Sequence, residues 1–253
     1  MSSTIHKYKP VENWEYQYVN NFGTYPFLLE DIPVKEKFLL WMRLAQRYYI
    51  KDLNSRQNID PVKEMLSGLN IDPDSTDAQC LLSYYQRANK QINHLLNFTD
   101  IEDKKILDFG SGHGMLASAV LEGGGVYYAL EYIQPVAEIR DYFLENAFSD
   151  KCSKIYTEQD MHLNEIINSD SDGFDIIFCN NVLSEMPVKE TEQAIIKIKE
   201  ILKTDGLVVI QDWLNPKTKC DLMSLMCRNF NFVDITTFQE NVSNVYVFLL
   251  RTN

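Results

Sequence analysis

The sequence predicts an α/β protein: a doubly wound, seven-stranded, mostly parallel sheet that ends in an antiparallel hairpin, preceded by an N-terminal helical cap. Three observations predict it. Short apolar runs at 106–109, 126–130, 174–179 and 207–212 are separated by stretches of helical periodicity, the alternation that builds a parallel sheet. A glycine-rich turn follows the first run directly. The last two β-like runs have only Gln239 to Asn244 between them, which suits a hairpin rather than a crossover.

Taken in order, Val34 to Tyr49 puts Phe38, Leu39, Met42, Ala45 and Tyr49 on one helical face. Pro61 to Leu69 is a shorter helix opened by proline. Thr76 to Leu96 is a long one, with Thr76 and Gln79 placed as a capping box. The first strand, Ile106 to Phe109, enters Gly110-Ser111-Gly112-His113-Gly114, where a Cβ at the glycines would block the turn or the approach of a ligand. A helix over 115–121 and the turn Gly123-Gly124-Gly125 lead to the second strand, Val126 to Leu130, which ends in Glu131. Lys154 to Met161 reads as a short strand running into an acidic loop at Asp160, and Phe174 to Cys179 as the fourth strand. Ala194, Ile195, Ile198, Ile201 and Leu202 recur at helical spacing, and Thr204-Asp205-Gly206 ends that helix before the strand Leu207 to Asp212. Phe232 to Phe238 and Val245 to Leu250 form the hairpin.

Composition narrows the partners. Thirty-six acidic against 24 basic residues leave a net charge of −12, which argues against a nucleic-acid partner because a phosphate backbone calls for a basic face. No apolar stretch has the length of a membrane span and the N-terminus lacks a signal peptide, so a cytoplasmic protein with no membrane partner is expected. The five cysteines are odd in number with no Cys-x-x-Cys, and the four histidines lack ligand spacing, so neither disulfides nor a metal is expected.

The glycines at 110, 112 and 114 decide the class of ligand. A dinucleotide fingerprint would place its third small residue at Met115, whereas the spacing here is Gly-x-Gly-x-Gly. With Asp108 two residues ahead, it resembles motif I of the class I S-adenosylmethionine (SAM)-dependent methyltransferases, and the resemblance extends over about residues 100–253. It implies SAM as cofactor, Asp108 near its ammonium, and Gly110, Ser111, Gly112 and Gly114 under its amino-acid half. Glu131, at a strand end and at the expected distance from the glycine loop, is the acid for the ribose hydroxyls, with Tyr132 beside it. Asp160 matches the residue that meets the adenine amino group, and Met161 is placed to pack on the purine. Asn180 is a further cofactor contact.

Asn180-Asn181-Val182-Leu183-Ser184-Glu185-Met186-Pro187 is similar to the family's asparagine-valine-leucine-glutamate-histidine-x-proline form of motif IV. Ser184 stands where glutamate is common and Glu185 where histidine is common. The absence of Asn/Asp-Pro-Pro-aromatic argues against methylation of nucleobase or glutamine nitrogens. Methyl transfer to a hydroxyl needs alignment and a proton acceptor. Glu185 leads as the base, followed by His113 and Asp212, with His162 lacking positional support; an anionic acceptor needs none of them.

Residues 1–98 are therefore expected to form the helical cap and acceptor-binding region, and 99–253 the SAM-binding domain. Aromatic residues such as Trp14, Tyr18, Phe22, Phe27 and Trp41 suit a cover that keeps the reaction dry. The chain is similar to bacterial sugar O-methyltransferases of surface-polysaccharide pathways. That implies a small-molecule acceptor, a sugar or a phosphorylated or nucleotide-linked metabolite, methylated on oxygen. The alternatives are a protein or RNA methyltransferase and a SAM-binding regulator without turnover.

Overall fold

In the computed structural model each expected apolar run is a strand, and the intervening periodic segments are helices. Residues 32–49, 57–158, 163, 166–167, 173–183, 186, 188–212, 219–239 and 244–252 are described. Helix α1 spans Val34–Tyr49, a 3₁₀ turn at Asp60–Val62 leads into α2, Lys63–Gly68, and α3 spans Thr76–Leu95. The sheet domain then alternates β1 (Lys105–Phe109), α4 (Leu116–Glu122), β2 (Val126–Leu130), α5 (Gln134–Ala147), β3 (Ile155–Thr157) and β4 (Phe174–Asn180). It continues through α6 (Val188–Ile201), β5 (Leu202–Asp212), α7 (Lys219–Asn229), β6 (Phe230–Gln239) and β7 (Asn244–Thr252).

The seven strands lie in the order β3-β2-β1-β4-β5-β7-β6. The first five pair in parallel, and β7 pairs antiparallel with both β5 and β6. The order of strand addition reverses at β1, whose neighbours β2 and β4 lie on either side, and open α/β sheets bind ligands at the carboxyl edge of such a switch.

Strand alternation divides the core in two. Ile106, Ile176, Phe178, Leu207 and Val209 face one side, together with Phe38 and Met42 of α1, Leu81 and Ile92 of α3, and Phe143 of α5. Leu107, Ile177, Cys179, Val208 and Ile210 face the other, with Ala194, Ile195 and Ile198 of α6 and Met226 of α7. The helices before β1 thus share one continuous core with the sheet. Phe38 stacks on Phe143 with ring centroids 5.4 Å apart, and a bidentate Arg43–Asp77 pair at 2.6 Å ties α1 to the first turn of α3.

Two local expectations change. The cap of α3 is Ser75 rather than Thr76: Ser75 holds the extended ψ of 161° that a cap requires, and its Oγ accepts from Ala78 N at 3.2 Å. Gln79 bonds instead to the backbone of Gln57. The Thr204-Asp205-Gly206 turn is absorbed into β5 as an irregularity, because pairing resumes at Ile176↔Leu207 after Phe174↔Leu202. β3, Ile155–Thr157, is the short strand expected there; it pairs with β2 alone and stops where that register ends.

Candidate functional site

The loop after β1 is built by backbone bonds and by two positions that require glycine. Gly110 N and Ser111 N donate to Leu130 O at 2.8 and 3.1 Å, tying the loop to the end of β2. Gly110 has φ +72°, and a Cβ there would come within 2.3 Å of Val182 Cγ2, so the loops after β1 and β4 meet at this residue. Gly112 has φ +55°, and its missing Cβ would meet nothing within 4 Å among the described residues, so it borders space open to a ligand there.

Gly112 N donates to Glu131 Oε2 at 2.9 Å, and Ile133 N donates to Glu131 Oε1 at 3.0 Å. Both carboxylate oxygens are therefore oriented by backbone and each retains a lone pair. Burial raises the Glu131 pKa, opposed by these two bonds. Tyr132 follows directly, its ring edge-on to Phe109 at 5.6 Å.

Asp108 is 2% exposed. Tyr127 OH donates to its Oδ2 at 2.8 Å, while Oδ1 is buried without a hydrogen-bond partner among the described residues. Burial pushes this carboxyl up to about 7, against the pull of the Tyr127 hydroxyl. A buried carboxylate with one unused oxygen is suited to a cationic donor. Beneath the loop lies Arg140, fully buried, whose Nη1 and Nη2 donate to the two oxygens of Glu158 at 2.7 and 2.8 Å. It also bonds Asp141 Oδ1 at 2.6 Å and approaches Ser111 Oγ at 3.5 Å, and Gly114 packs against its side chain. One guanidinium thus joins the glycine loop to the segment after β3.

His113 lies edge-on to Tyr84 of α3 with centroids 4.5 Å apart, and Trp41 of α1 is at 6.4 Å. Its Nε2 is buried without a partner among the described residues, and burial with the Arg87 charge holds the ring down to about 3, so it is neutral at ordinary pH. At the end of β4, Asn180 Oδ1 accepts from Gln91 Nε2 at 3.1 Å, and Gln91 also donates to Gln211 Oε1 on β5.

The structure therefore gathers Asp108, Gly110, Ser111, Gly112, His113, Gly114, Glu131, Tyr132 and Asn180 at one carboxyl edge. Asp212 is fully buried, and strand alternation puts it on the sheet face opposite Asp108. Both carboxylates help to hold the Cys179 thiol well above its ordinary pKa, after burial itself. Asp160, Met161, His162, Ser184 and Glu185 lie outside the described residues, as do the aromatic positions before Ile32. No group of three or more His, Cys, Asp or Glu among the described residues could hold a metal, and none of their helices is long and apolar enough to cross a membrane.

Sequence reasoning missed Tyr127, Arg140, Gln91 and Gln211. A signal existed for two of them. Arg140 falls within the apolar stripe Val136, Ala137, Ile139, Phe143 and Leu144 of α5, and Gln211 interrupts an apolar strand. Tyr127 and Gln91 meet their partners only through packing.

Comparison with known proteins agrees with this arrangement. A family profile described as "Methyltransferase domain" matches residues 81–239, starting inside α3. A ubiquinone biosynthesis O-methyltransferase from Haemophilus ducreyi is 26% identical over 108 residues, which are 42% of this chain and 44% of that protein. The match thus spans less than half the length of this curated relative. The fold is similar to that of magnesium protoporphyrin IX methyltransferase from Synechocystis PCC 6803 with bound SAM, at TM-score 0.57 and 11% identity over the whole of both chains. It is also similar to that of an N-methyltransferase from Bradyrhizobium japonicum WM9 in complex with S-adenosylhomocysteine, at TM-score 0.53 and 13% identity over 76% of this chain and 98% of the other. With the profile covering more than half of the sequence, the chain belongs to the methyltransferase-domain family, with the Rossmann-like fold of the class I SAM-dependent methyltransferases.

Proposed function

We propose that the protein transfers the methyl group of SAM to an oxygen of a small-molecule acceptor, a sugar or a phosphorylated or nucleotide-linked metabolite. The observation that carries this reading is the pairing of an unused, buried Asp108 Oδ1 with the open space over Gly112, beside a Glu131 carboxylate already oriented by backbone. Asp108 would accept the cofactor ammonium, Glu131 the ribose hydroxyls, and the edge of Gly110, Ser111, Gly112 and Gly114 would lie under the amino-acid part. Tyr132 and Asn180 complete that contact surface, and Asp160 and Met161 would hold the adenine. Transfer to oxygen is supported by the O-methyltransferase among the relatives, and a small acceptor by the acidic composition. Residues 1–98 are assigned to the cap that binds the acceptor.

Bound SAM supplies a methyl group already activated by its sulfonium. The chain has to align the acceptor oxygen with the carbon–sulfur bond and take up its proton. Glu185 would take up the acceptor's hydroxyl proton as the oxygen displaces the sulfide that the sulfonium would leave behind. His113 is the weaker candidate because a ring held down to about 3 has little affinity for a proton at neutral pH. Asp212 is weaker because it occupies the other face of the sheet.

The test is transfer of a deuterated methyl group from labelled SAM into a small-metabolite extract, read by mass spectrometry. A labelled metabolite with a new methyl ether or ester is expected; label confined to protein or RNA would overturn the reading. Glu185→Gln is expected to bind SAM normally and to lose on the order of 10²–10⁴ in kcat, with the loss eased at high pH. A near-native kcat from about pH 6 to about pH 9 would remove Glu185 from the reaction.

A further inference from the structure

The carboxyl edge contains more unsatisfied polar groups than the cofactor assignment uses. Besides Asp108 Oδ1, the atoms His113 Nε2, Asn181 Oδ1 and Gln211 Nε2 are buried without a hydrogen-bond partner among the described residues. More than about nine in ten buried polar groups are normally satisfied, so a group of such atoms on the strand ends and loops of one edge is what a ligand would complete.

Gln211 is the most sharply defined of them. Its side chain is fully buried near the end of β5, and alternation with Leu207 and Val209 puts it on the sheet face that carries Asp108. Its Oε1 is occupied by the amide of Gln91, which also bonds Asn180 Oδ1. Because Gln91 Nε2 donates to both neighbours, the Gln211 amide is oriented with its oxygen engaged and its NH₂ group left as a donor.

The strand order says which ligand that donor meets. With Glu131 after β2 assigned to the ribose and Asp108 on β1 to the ammonium, bound cofactor would occupy the β2–β1 side of this edge, leaving β4 and β5 beyond it. Gln211 lies two strands beyond β1, about 10 Å at the usual strand spacing, on the side away from the ribose acid. A group there would lie outside the assigned cofactor contacts, where an acceptor would approach.

We propose that Gln211 is an acceptor-binding residue, donating a hydrogen bond from Nε2 to an oxygen of the methyl acceptor, and that Gln91 of α3 is the positioning residue that presents it. The proposal rests on the small-molecule methyl transfer argued above. It adds that the acceptor carries an oxygen to be recognised at β5, and that α3, from outside the motif residues, takes part in choosing it. His113 against Tyr84, one helical turn pair earlier on the same helix, extends this polar wall.

The experiment uses the full chain with Gln211→Met, which removes the donor at similar volume, and with Gln211→Glu at about pH 8, which keeps the oxygen that Gln91 bonds. Three quantities are measured: calorimetric affinity for S-adenosylhomocysteine, affinity for 5′-methylthioadenosine, which lacks the amino-acid end, and the extract concentration giving half-maximal labelling from deuterated-methyl SAM. Both nucleoside affinities are expected to stay within about twofold while the half-maximal concentration rises about tenfold or more, the usual effect of losing one buried hydrogen bond to a ligand. Gln91→Met is expected to move labelling in the same sense.

A loss of S-adenosylhomocysteine affinity with 5′-methylthioadenosine unchanged would assign Gln211 to the cofactor's amino-acid end and overturn the proposal. So would unchanged half-maximal labelling, or loss of both nucleosides in both Gln211 variants, which would make the role structural. Wild-type protein that binds S-adenosylhomocysteine but labels no metabolite would instead remove the proposed function, and this inference with it.

Discussion

Glu131 shows how one residue ties fold to ligand. Its two oxygens accept from Gly112 N and Ile133 N, so the fold itself sets the carboxylate in place for the ribose role proposed above. Glu131→Ala should weaken S-adenosylhomocysteine binding by about 2–4 kcal/mol, through two lost bonds to a charged acceptor and a loosened Gly112. Calorimetry giving wild-type affinity would refute the ribose role. Asp108 makes a prediction about pH. Its folded pKa of about 7 lies above the ordinary 3.8, so the native state holds a proton that the unfolded chain releases between those values. Stability should therefore fall as pH rises through this window, the sign expected for a raised acid. Urea unfolding at about pH 5 and about pH 8 should show a smaller difference for Asp108→Asn than for wild type. An equal difference would show that this carboxyl does not titrate in that range.

At the scale of elements, α3 has two duties. Its apolar residues Leu81, Leu82, Ala88, Ile92 and Leu95 are buried in the core, while Tyr84 and Gln91 reach His113 and the ends of β4 and β5. Its starting point therefore sets the placement of the site. Ser75→Ala removes the bond from Ala78 N and should cost about 1 kcal/mol of stability, measurable as a lower urea midpoint with an unchanged slope. The Thr76→Val change, by contrast, should leave the cap intact, because Thr76 already lies inside the helix. A larger loss at 76 than at 75 would return the cap to Thr76.

Across the whole molecule, the helices before β1 are part of the sheet's own core. One face, bearing Ile106, Ile176, Phe178 and Val209, is covered in part by Phe38 and Met42 of α1 and by the buried stripe of α3. A chain shortened to residues 99–253 would expose that face, at a cost of about 25 cal/mol for each Å² returned to water. It should aggregate or lack a cooperative thermal transition, whereas the full chain unfolds cooperatively. A soluble, cooperatively melting 99–253 fragment would show that the sheet domain stands alone. The boundary at 98 thus marks where the motif resemblance begins, while packing and the profile match from residue 81 both run across it.

The strands, the glycine loop and the acid at the end of β2 were legible because each is specified locally. Gly110 and Gly112 need positive φ, Glu131 ends an apolar run, and alternating runs of apolar and periodic residues leave few topologies open. The hairpin was legible for the same reason, since no helix separates its strands. What sequence could not supply were partners brought from far along the chain. Tyr127 meets Asp108 through the pairing of β1 and β2, Arg140 meets Glu158 through the packing of α5, and Gln91 meets Gln211 across 120 residues. The sequence by itself thus determined the fold class and the glycine loop, which rest on backbone conformation and periodicity. The tertiary structure alone decided which oxygen of Asp108 stays unused, which face Asp212 occupies and which way the Gln211 amide is turned, because those depend on burial and on hydrogen-bond partners that no local pattern encodes.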